Sequence, residues 1–320
     1  MFDSPKAYAV KHLKEDVRAS SRSGGIFTAL SDYLLENAGA VYGCVMDDNF
    51  SAKHIRAVSR EERDRMRGSK YIQSDMGMIF QEVRKDLEQE IPVLFTGTSC
   101  QIAGLKGFLR KDYPNLLCVD IVCHGVPSKK LFHKYLTWME KRYKAKCKNF
   151  DFRNKTDFGW AAHTETLYFK NGKKVNSEIF RTLFYGHNIL RPACYQCPYK
   201  SVKHPGDITI ADFWGIDKAV PGFNDNKGVS LVLVNNEKGE QVLDLVKDVL
   251  LMHEAKLEDC IQPPLKAPFQ KPDERERFWK DFAERDFGYI AKKYAEYSFA
   301  MRLRKCVRKC KKKIKEMLKV

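Results

Sequence analysis

The sequence predicts an α/β fold, with α+β elements in its second half, on three observations. Twice a buried-looking apolar run passes through a glycine-bearing turn into a helix: IPVLFTGTSCQIAGLKGFL from Ile91 and LLCVDIVCHGVPSKKLFHKYL from Leu116. Such strand–turn–helix units build a mixed sheet. After Lys146 the pieces shorten to strand-like runs separated by turn residues, and after the Pro-rich QPPLKAPFQKP the pattern turns helical. With 320 residues, 43% of them hydrophobic, the chain can bury a substantial core. The expected organisation is an α/β part over residues 1–146, a β-rich part over 147–252 with cysteine-bearing loops, and a Pro-rich connector with a C-terminal helical extension over 253–320.

Taken in order, Lys6 to Val10 reads as a short strand, followed by RASSRSGGIFTALSDYLLENAG, a polar loop, two glycines and an amphipathic helix. Ile26, Leu30, Tyr33 and Leu34 form its apolar face. Ser23 suits the N-cap, and Gly24 and Gly25 let backbone approach a ligand at the positive end of the helix dipole. The same pair also serves as plain turn chemistry. AVYGCVM from Ala40 and AKHIRAVS from Ala52 read as strands, and a helix runs from Ile79 to about Gln89. Between them, Gly68, Ser69, Lys70 and Tyr71 suit a nucleotide or flavin phosphate and ring, and suit an exposed loop equally well.

The two strand–turn–helix units then deliver Cys100 and Cys123 to one edge of a parallel sheet, the edge where such folds place ligands. Cys100 opens a helix, where the dipole favours thiolate. His124 beside Cys123 is a hydrogen-bonded loop histidine or, alternatively, a metal ligand or proton donor. KNFDFRN, HTETLYFKNG with an Asn171–Gly172 hairpin turn, and KVNSEIF give the short strands. In RPACYQCPYKSVKHPGDITIADFWG a Cys-x-x-Cys loop flanked by Pro192 and Pro198 runs into a strand ending near Asp212. That carboxylate can bond a ring or ribose, or cap the following turn. KGVSLVLVNNEKGEQVLDLVKDVLLMH reads as one more strand followed by a helix.

No apolar run is long enough for a membrane span, and the N-terminus carries charges where a signal peptide is apolar, so a cytoplasmic protein is expected. Of the ten cysteines, Cys44 and Cys118 sit in apolar runs as core residues. Cys147, Cys260, Cys306 and Cys310 lie in charged surroundings without a partner set. In a reducing compartment Cys194 and Cys197 point to metal ligation or redox work. They supply half of a four-ligand site, with Cys100 and Cys123 as candidates for the other half. Three readings stay open: an iron–sulfur protein, a zinc-stabilised binding module, and a dithiol oxidoreductase. The last lacks the usual strand-before, helix-after setting of its pair.

The net charge of +16 concentrates toward the C-terminus, where Tyr294, Phe299, Met301, Leu303, Val307, Ile314 and Leu318 recur at helical intervals among Lys and Arg. This basic amphipathic helix is solvated, or touches an anionic membrane surface, an acidic redox partner or nucleic acid. No specific nucleic-acid module is present.

SSRSGGIFTAL, RGSKYIQS, FTGTSCQIAGLKGFL, VDIVCHGVPS, RPACYQCPY and DITIADFWGI closely resemble, in the same order, six motifs of the coenzyme F420 hydrogenase/dehydrogenase beta subunits. The resemblance spans about Ala19 to Asn235. It implies an FAD-dependent oxidoreductase with a neighbouring 4Fe-4S cluster, ligated by Cys100, Cys123, Cys194 and Cys197. Ser23, Gly24, Gly25 and Thr28, the RGSKY residues, and Thr96, Gly97, Thr98 and Gln101 become FAD contacts. No catalytic residue is assigned. The family's usual Thr-Pro-Cys-Gln reads Thr98-Ser99-Cys100-Gln101 here, which changes loop stiffness and keeps the cysteine. Similar members carry an N-terminal ferredoxin-like region, and this chain begins where that region would end. Electrons are therefore expected from a ferredoxin-like or other redox protein, with a small-molecule hydride carrier, a deazaflavin-type coenzyme or another acceptor, as substrate.

Overall fold

The computed structural model describes residues 1–297. β1 (Lys6–His12) leads through α1 (Glu15–Ser20) into α2 (Ile26–Glu36), β2 (Ala40–Met46) and β3 (Ala52–Ala57). Next come α3 (Arg60–Asp64), α4 (Ile79–Glu88), β4 (Val93–Thr98), α5 (Ser99–Leu109) and β5 (Leu116–Ile121). The middle holds α6 (Lys129–Tyr143), β6 (Cys147–Asp151), α7 (Lys155–Phe158), β7 (Glu165–Phe169), β8 (Lys174–Ser177) and α8 (Ile179–Tyr185). β9 (Ile208–Asp212), α9 (Ile216–Ala219), β10 (Ser230–Val234), α10 (Glu237–Leu245) and β11 (Leu250–Ala255) follow. α11 (Leu257–Cys260), α12 (Arg275–Glu284) and α13 (Phe287–Tyr294) close the described chain.

These elements form two units that take alternating stretches of chain. The first comprises Met1–Lys129, Arg153–Ala162 and Arg191–Phe269; the second takes Lys130–Phe152, His163–Leu190 and the chain from Gln270 onward. The interleaving arises because β9 and β10, late in sequence, pair with β5 and β1.

The first unit is built on an eight-stranded sheet in the order β11-β1-β10-β9-β5-β4-β2-β3. Its centre, β2-β4-β5-β9, is parallel, and the remaining pairings are antiparallel. Alternate side chains of one strand enter different core layers. Leu94, Val232 and Val234 pack with α2 and α10, while Val93 and Phe95 pack with α4 and α5. Leu231 and Leu233 pack near α9 and α11. Strands buried on both faces read as continuous apolar runs, as VLF and SLVLV do. In register, Thr98 lies opposite Ile121 and Ile121 opposite Ile210, so β4, β5 and β9 end along one edge.

The second unit packs the three-stranded sheet β6-β7-β8 against helices through aromatic rings. Phe132 lies 5.1 Å from Phe150 and 5.2 Å from both Phe152 and Phe180. Buried Glu165 accepts from the Phe180 and Arg181 N–H groups at 3.0 and 2.8 Å and from the Tyr135 hydroxyl at 2.8 Å. It thereby satisfies the otherwise unpaired start of α8.

Two stretches differ from the expected pattern. The helix expected after β10 stops at Leu245, and the chain turns through Lys247–Val249 into β11, an edge strand on β1. LVKDVLLM fits either period locally, and pairing with β1 selects the strand. FRTLFYG, left unassigned by sequence, forms most of α8. Cys147 and Cys260 are buried, like Cys118. Their charged neighbours in sequence are not their neighbours in space. Of the basic C-terminal helix, α13 with Tyr294 is described; Phe299, Met301, Leu303, Val307, Ile314 and Leu318, with Cys306 and Cys310, lie outside the described residues. No described helix is long and apolar enough to cross a membrane.

Candidate functional site

The residues that carry chemistry in sequence meet at the carboxyl edge of the first unit's sheet. β4 ends at Thr98, which caps α5, and Gln101 Oε1 accepts the Thr98 N–H at 2.9 Å in return. Gly97 leaves room for this arm, because a Cβ there would lie 2.9 Å from Gln101 Oε1. The cap fixes Cys100 on the first turn with its Sγ 3.1 Å from Thr98 Oγ1. β5 hands on to Cys123, and Gly125 then adopts φ +144°, which side chains resist. The Val126 N–H is left pointing at Cys194 Sγ at 3.4 Å, while the Val126 carbonyl accepts the Arg191 N–H at 2.9 Å. The Cys-x-x-Cys loop is thus pinned to the loop after β5. Within the loop, Pro192–Gln196 forms a short 3-10 turn. Pro192 opens that turn where its missing N–H costs nothing.

The four thiols are neighbours. Cys123 and Cys197 each feel the charge of Cys100 and Cys194. Burial pushes the Cys123 thiol up to about 11, opposed by Lys200 and the Gly125 N–H. Burial raises Cys197 as well, opposed by the Tyr199 N–H and Lys200. Three of the four sulfurs therefore have a backbone N–H donor, Gly125 for Cys123, Val126 for Cys194 and Tyr199 for Cys197, and the fourth, Cys100, shares a hydrogen bond with the Thr98 hydroxyl. Lys200 is 6% exposed, gives its ammonium to the Cys123 carbonyl, and lies 5.1 Å from the Phe269 ring centroid. His124 also packs on Phe269, ring centroids 4.3 Å apart. Among the described residues no three His, Cys, Asp or Glu side chains gather closely enough to hold a single metal ion.

Farther along the same edge lies the loop between β1 and α2. Gly25, not Ser23, caps α2, at φ +97°. The Ser23 hydroxyl instead donates to the Val229 carbonyl at 2.5 Å. Gly24 is required by the sheet itself, since a Cβ there would lie 2.0 Å from the Val10 carbonyl oxygen and 2.6 Å from the Ser230 nitrogen. Lys155 donates to the carbonyls of Arg18 and Ser21 at 2.5 and 3.1 Å. Burial, then the charges of Arg22 and Arg18, lower it to about 8. Arg67 Nε reaches Thr28 Oγ1 at 3.2 Å, and Arg18 pairs with Asp225 at 2.7 Å. Sequence reasoning passed over Arg18, Arg22 and Lys155, whose concentration depends on the α7 segment folding back onto this loop.

Asp212 ends β9 and meets Arg153 in a buried ion pair, with the Trp160 Nε1–H donating to its other oxygen at 3.0 Å. Burial works to raise this carboxyl, and Arg153 and Arg22 overcome it, so it stays below the usual carboxylate range. Tyr71 reaches the same Arg153. The Trp160 and Trp214 rings stack at 5.0 Å and 9°. Other predicted contacts have local duties. Lys70 donates to the carbonyls of Arg65, Met66 and Arg67 at 3.1, 2.7 and 2.8 Å. Thr96 Oγ1 donates to the Tyr42 carbonyl at 3.0 Å. Gly68 takes φ +79° with open space around it, and Ser69 follows in the same loop.

Fold and site together define an α/β protein whose parallel strands present a cysteine group and a basic loop along their carboxyl edge. The chain belongs to the coenzyme F420 hydrogenase/dehydrogenase beta subunit family: the family's C-terminal region matches residues 92–259 and its N-terminal region residues 7–80. The resemblance read from the six motifs is therefore correct, and the family is one of oxidoreductase subunits. Among solved structures, the chain is similar to one from the F420-reducing [NiFe] hydrogenase complex of Methanosarcina barkeri. The two share 19% identity and a TM-score of 0.55, over 78% of this chain and 82% of that one, a likeness of fold. A comparison with curated proteins finds no match.

Proposed function

We propose that this chain is an iron–sulfur flavoprotein that passes electrons between a 4Fe-4S cluster and FAD, exchanging a hydride with a small-molecule carrier. The observation that carries the reading is the set of four neighbouring thiols, three of them with a backbone N–H donor and the fourth bonded to the Thr98 hydroxyl. Donors aimed at sulfur stabilise thiolate and are among the levers a protein has on an iron–sulfur cluster. Cys100, Cys123, Cys194 and Cys197 hold the cluster.

The basic loop supports the flavin half. Arg22 and Lys155 lie together near the start of α2 with Arg18, which Asp225 already balances, and a diphosphate there would meet their charge and the helix dipole. Gly68, Ser69, Tyr71 and Asp212 flank the ring and ribose, with Arg153 holding Asp212 ionised and oriented. When bound, a flavin exchanges a hydride on one side and single electrons on the other. The chain's own task is to seat both groups and keep water from them. The physiological partners are a ferredoxin-like or other redox protein and a deazaflavin-type or other hydride carrier.

The test is the visible spectrum of anaerobically purified protein, with iron, acid-labile sulfide and flavin determined on the same sample. Flavin bands over a broad brown shoulder are expected. Cys194→Ser should lose the shoulder and its iron while keeping the flavin. A colourless protein containing zinc would sink the reading in favour of a metal-stabilised binding module.

A further inference from the structure

Lys200 stands out among the buried charges because nothing ordinary balances it. Its ammonium points inward to the Cys123 carbonyl and its backbone N–H bonds the Cys197 carbonyl at 3.4 Å, so it is anchored between two arms of the cysteine group. The charges that act on it among the described residues are those of Cys123, Cys197 and Cys194, with no carboxylate among them. Buried Arg63 and Arg153, by contrast, each have an aspartate partner. An unpaired buried ammonium costs several kcal/mol unless a counter-charge arrives. Neutral thiols do not supply one. Four thiolates around a cluster do, and their net negative charge grows by one on reduction.

We propose that Lys200 is the resident counter-ion of the cysteine-bound cluster, a positioning residue that stabilises its reduced state and raises its reduction potential. This deepens the iron–sulfur reading and rests on it. The electron gained on reduction stays on the cluster, and Lys200 neither gains nor loses a proton in the step. It acts by fixed charge at short range, where little solvent intervenes to screen it. The Phe269 ring lies 5.1 Å from the ammonium and helps to shield it from water. Lys129, Arg191 and Lys203 nearby in sequence are exposed and are not invoked.

The experiment compares Lys200→Gln with Lys200→Arg, both of which keep a donor for the Cys123 carbonyl while only arginine keeps the charge. Iron and sulfide are quantified first, and the cluster's midpoint is then read by redox titration followed by electron paramagnetic resonance. The expected result is a lower midpoint for Lys200→Gln, by about tenfold or more in the reduction equilibrium, ~59 mV for one electron, with Lys200→Arg close to wild type. Equal midpoints for the two variants overturn the proposal with the cluster reading intact. A wild-type protein without iron and sulfide overturns both. Should Lys200→Gln fail to retain iron, retention by Lys200→Arg supports the need for charge, and loss in both variants shows a purely steric role and overturns it.

Discussion

His54 is held neutral by its surroundings. Its Nε2 lies 2.9 Å from the Thr96 carbonyl, an acceptor only, so Nε2 carries the hydrogen and Nδ1 accepts from the Ser74 hydroxyl at 2.7 Å. Burial pushes the ring down to about 4. The unfolded chain takes up a proton near pH 6.5 and the folded chain does not until about 4, so stability is full above pH 6.5 and falls as pH drops through that window. The loss amounts to about 3 kcal/mol. Urea unfolding at pH 7 and pH 4.5 should show this slope in the wild type and a flatter one in His54→Gln; equal slopes would remove His54 as the cause. None of this was legible in AKHIRAVS, because the partners come from β4 and the loop after α3. The cysteine group was easier to read: each thiol sits at a strand end or turn that sequence marks. Lys200, three residues past Cys197, gave no signal until folding removed its solvent.

Among elements, the parallel units were plain from sequence because an apolar run passes through a glycine-bearing turn straight into a helical pattern. The glycine pair before α2 was read correctly as special and incompletely as to reason. Gly24 is pressed between β1 and β10, and Gly25 takes the left-handed cap that Ser23 was expected to provide. A contrast with Gly68 follows. At Gly24 both obstructing atoms belong to backbone and cannot swing aside, so Gly24→Ala should cost about 3 kcal/mol or more. Gly68 has the unusual φ of +79° and open surroundings, so Gly68→Ala should cost only the left-handed strain, about 1 kcal/mol. Chemical denaturation of the two variants checks the order; equal losses would mean that packing against the sheet is not what Gly24 serves. The misjudged helix before β11 has a similar origin, since an edge strand owes its existence to a neighbour that sequence does not reveal.

Over the whole molecule, charge is the property that sequence gives without ambiguity and structure can only distribute. A net +16 on 320 residues exceeds what solubility alone asks of a chain this size. Part of it is internal, as in the basic loop around Lys155 and the ammonium of Lys200, and that part is insensitive to salt. The remainder, on exposed side chains, acts through solvent and must be screened. These two shares separate on an ionic-strength axis. With an acidic ferredoxin-like protein as electron donor, steering by the outer charge raises the encounter rate at low salt, where the screening length is about 30 Å, and loses it near 1 M, where it is about 3 Å. The second-order reduction rate should therefore fall about tenfold or more across that range, and neutralising Lys311, Lys312 and Lys313 should lower the rate at low salt and flatten its salt dependence. A rate that does not change with salt would mean that the outer charge plays no part in meeting the donor, and would leave the internal cations as the only ones with a redox role.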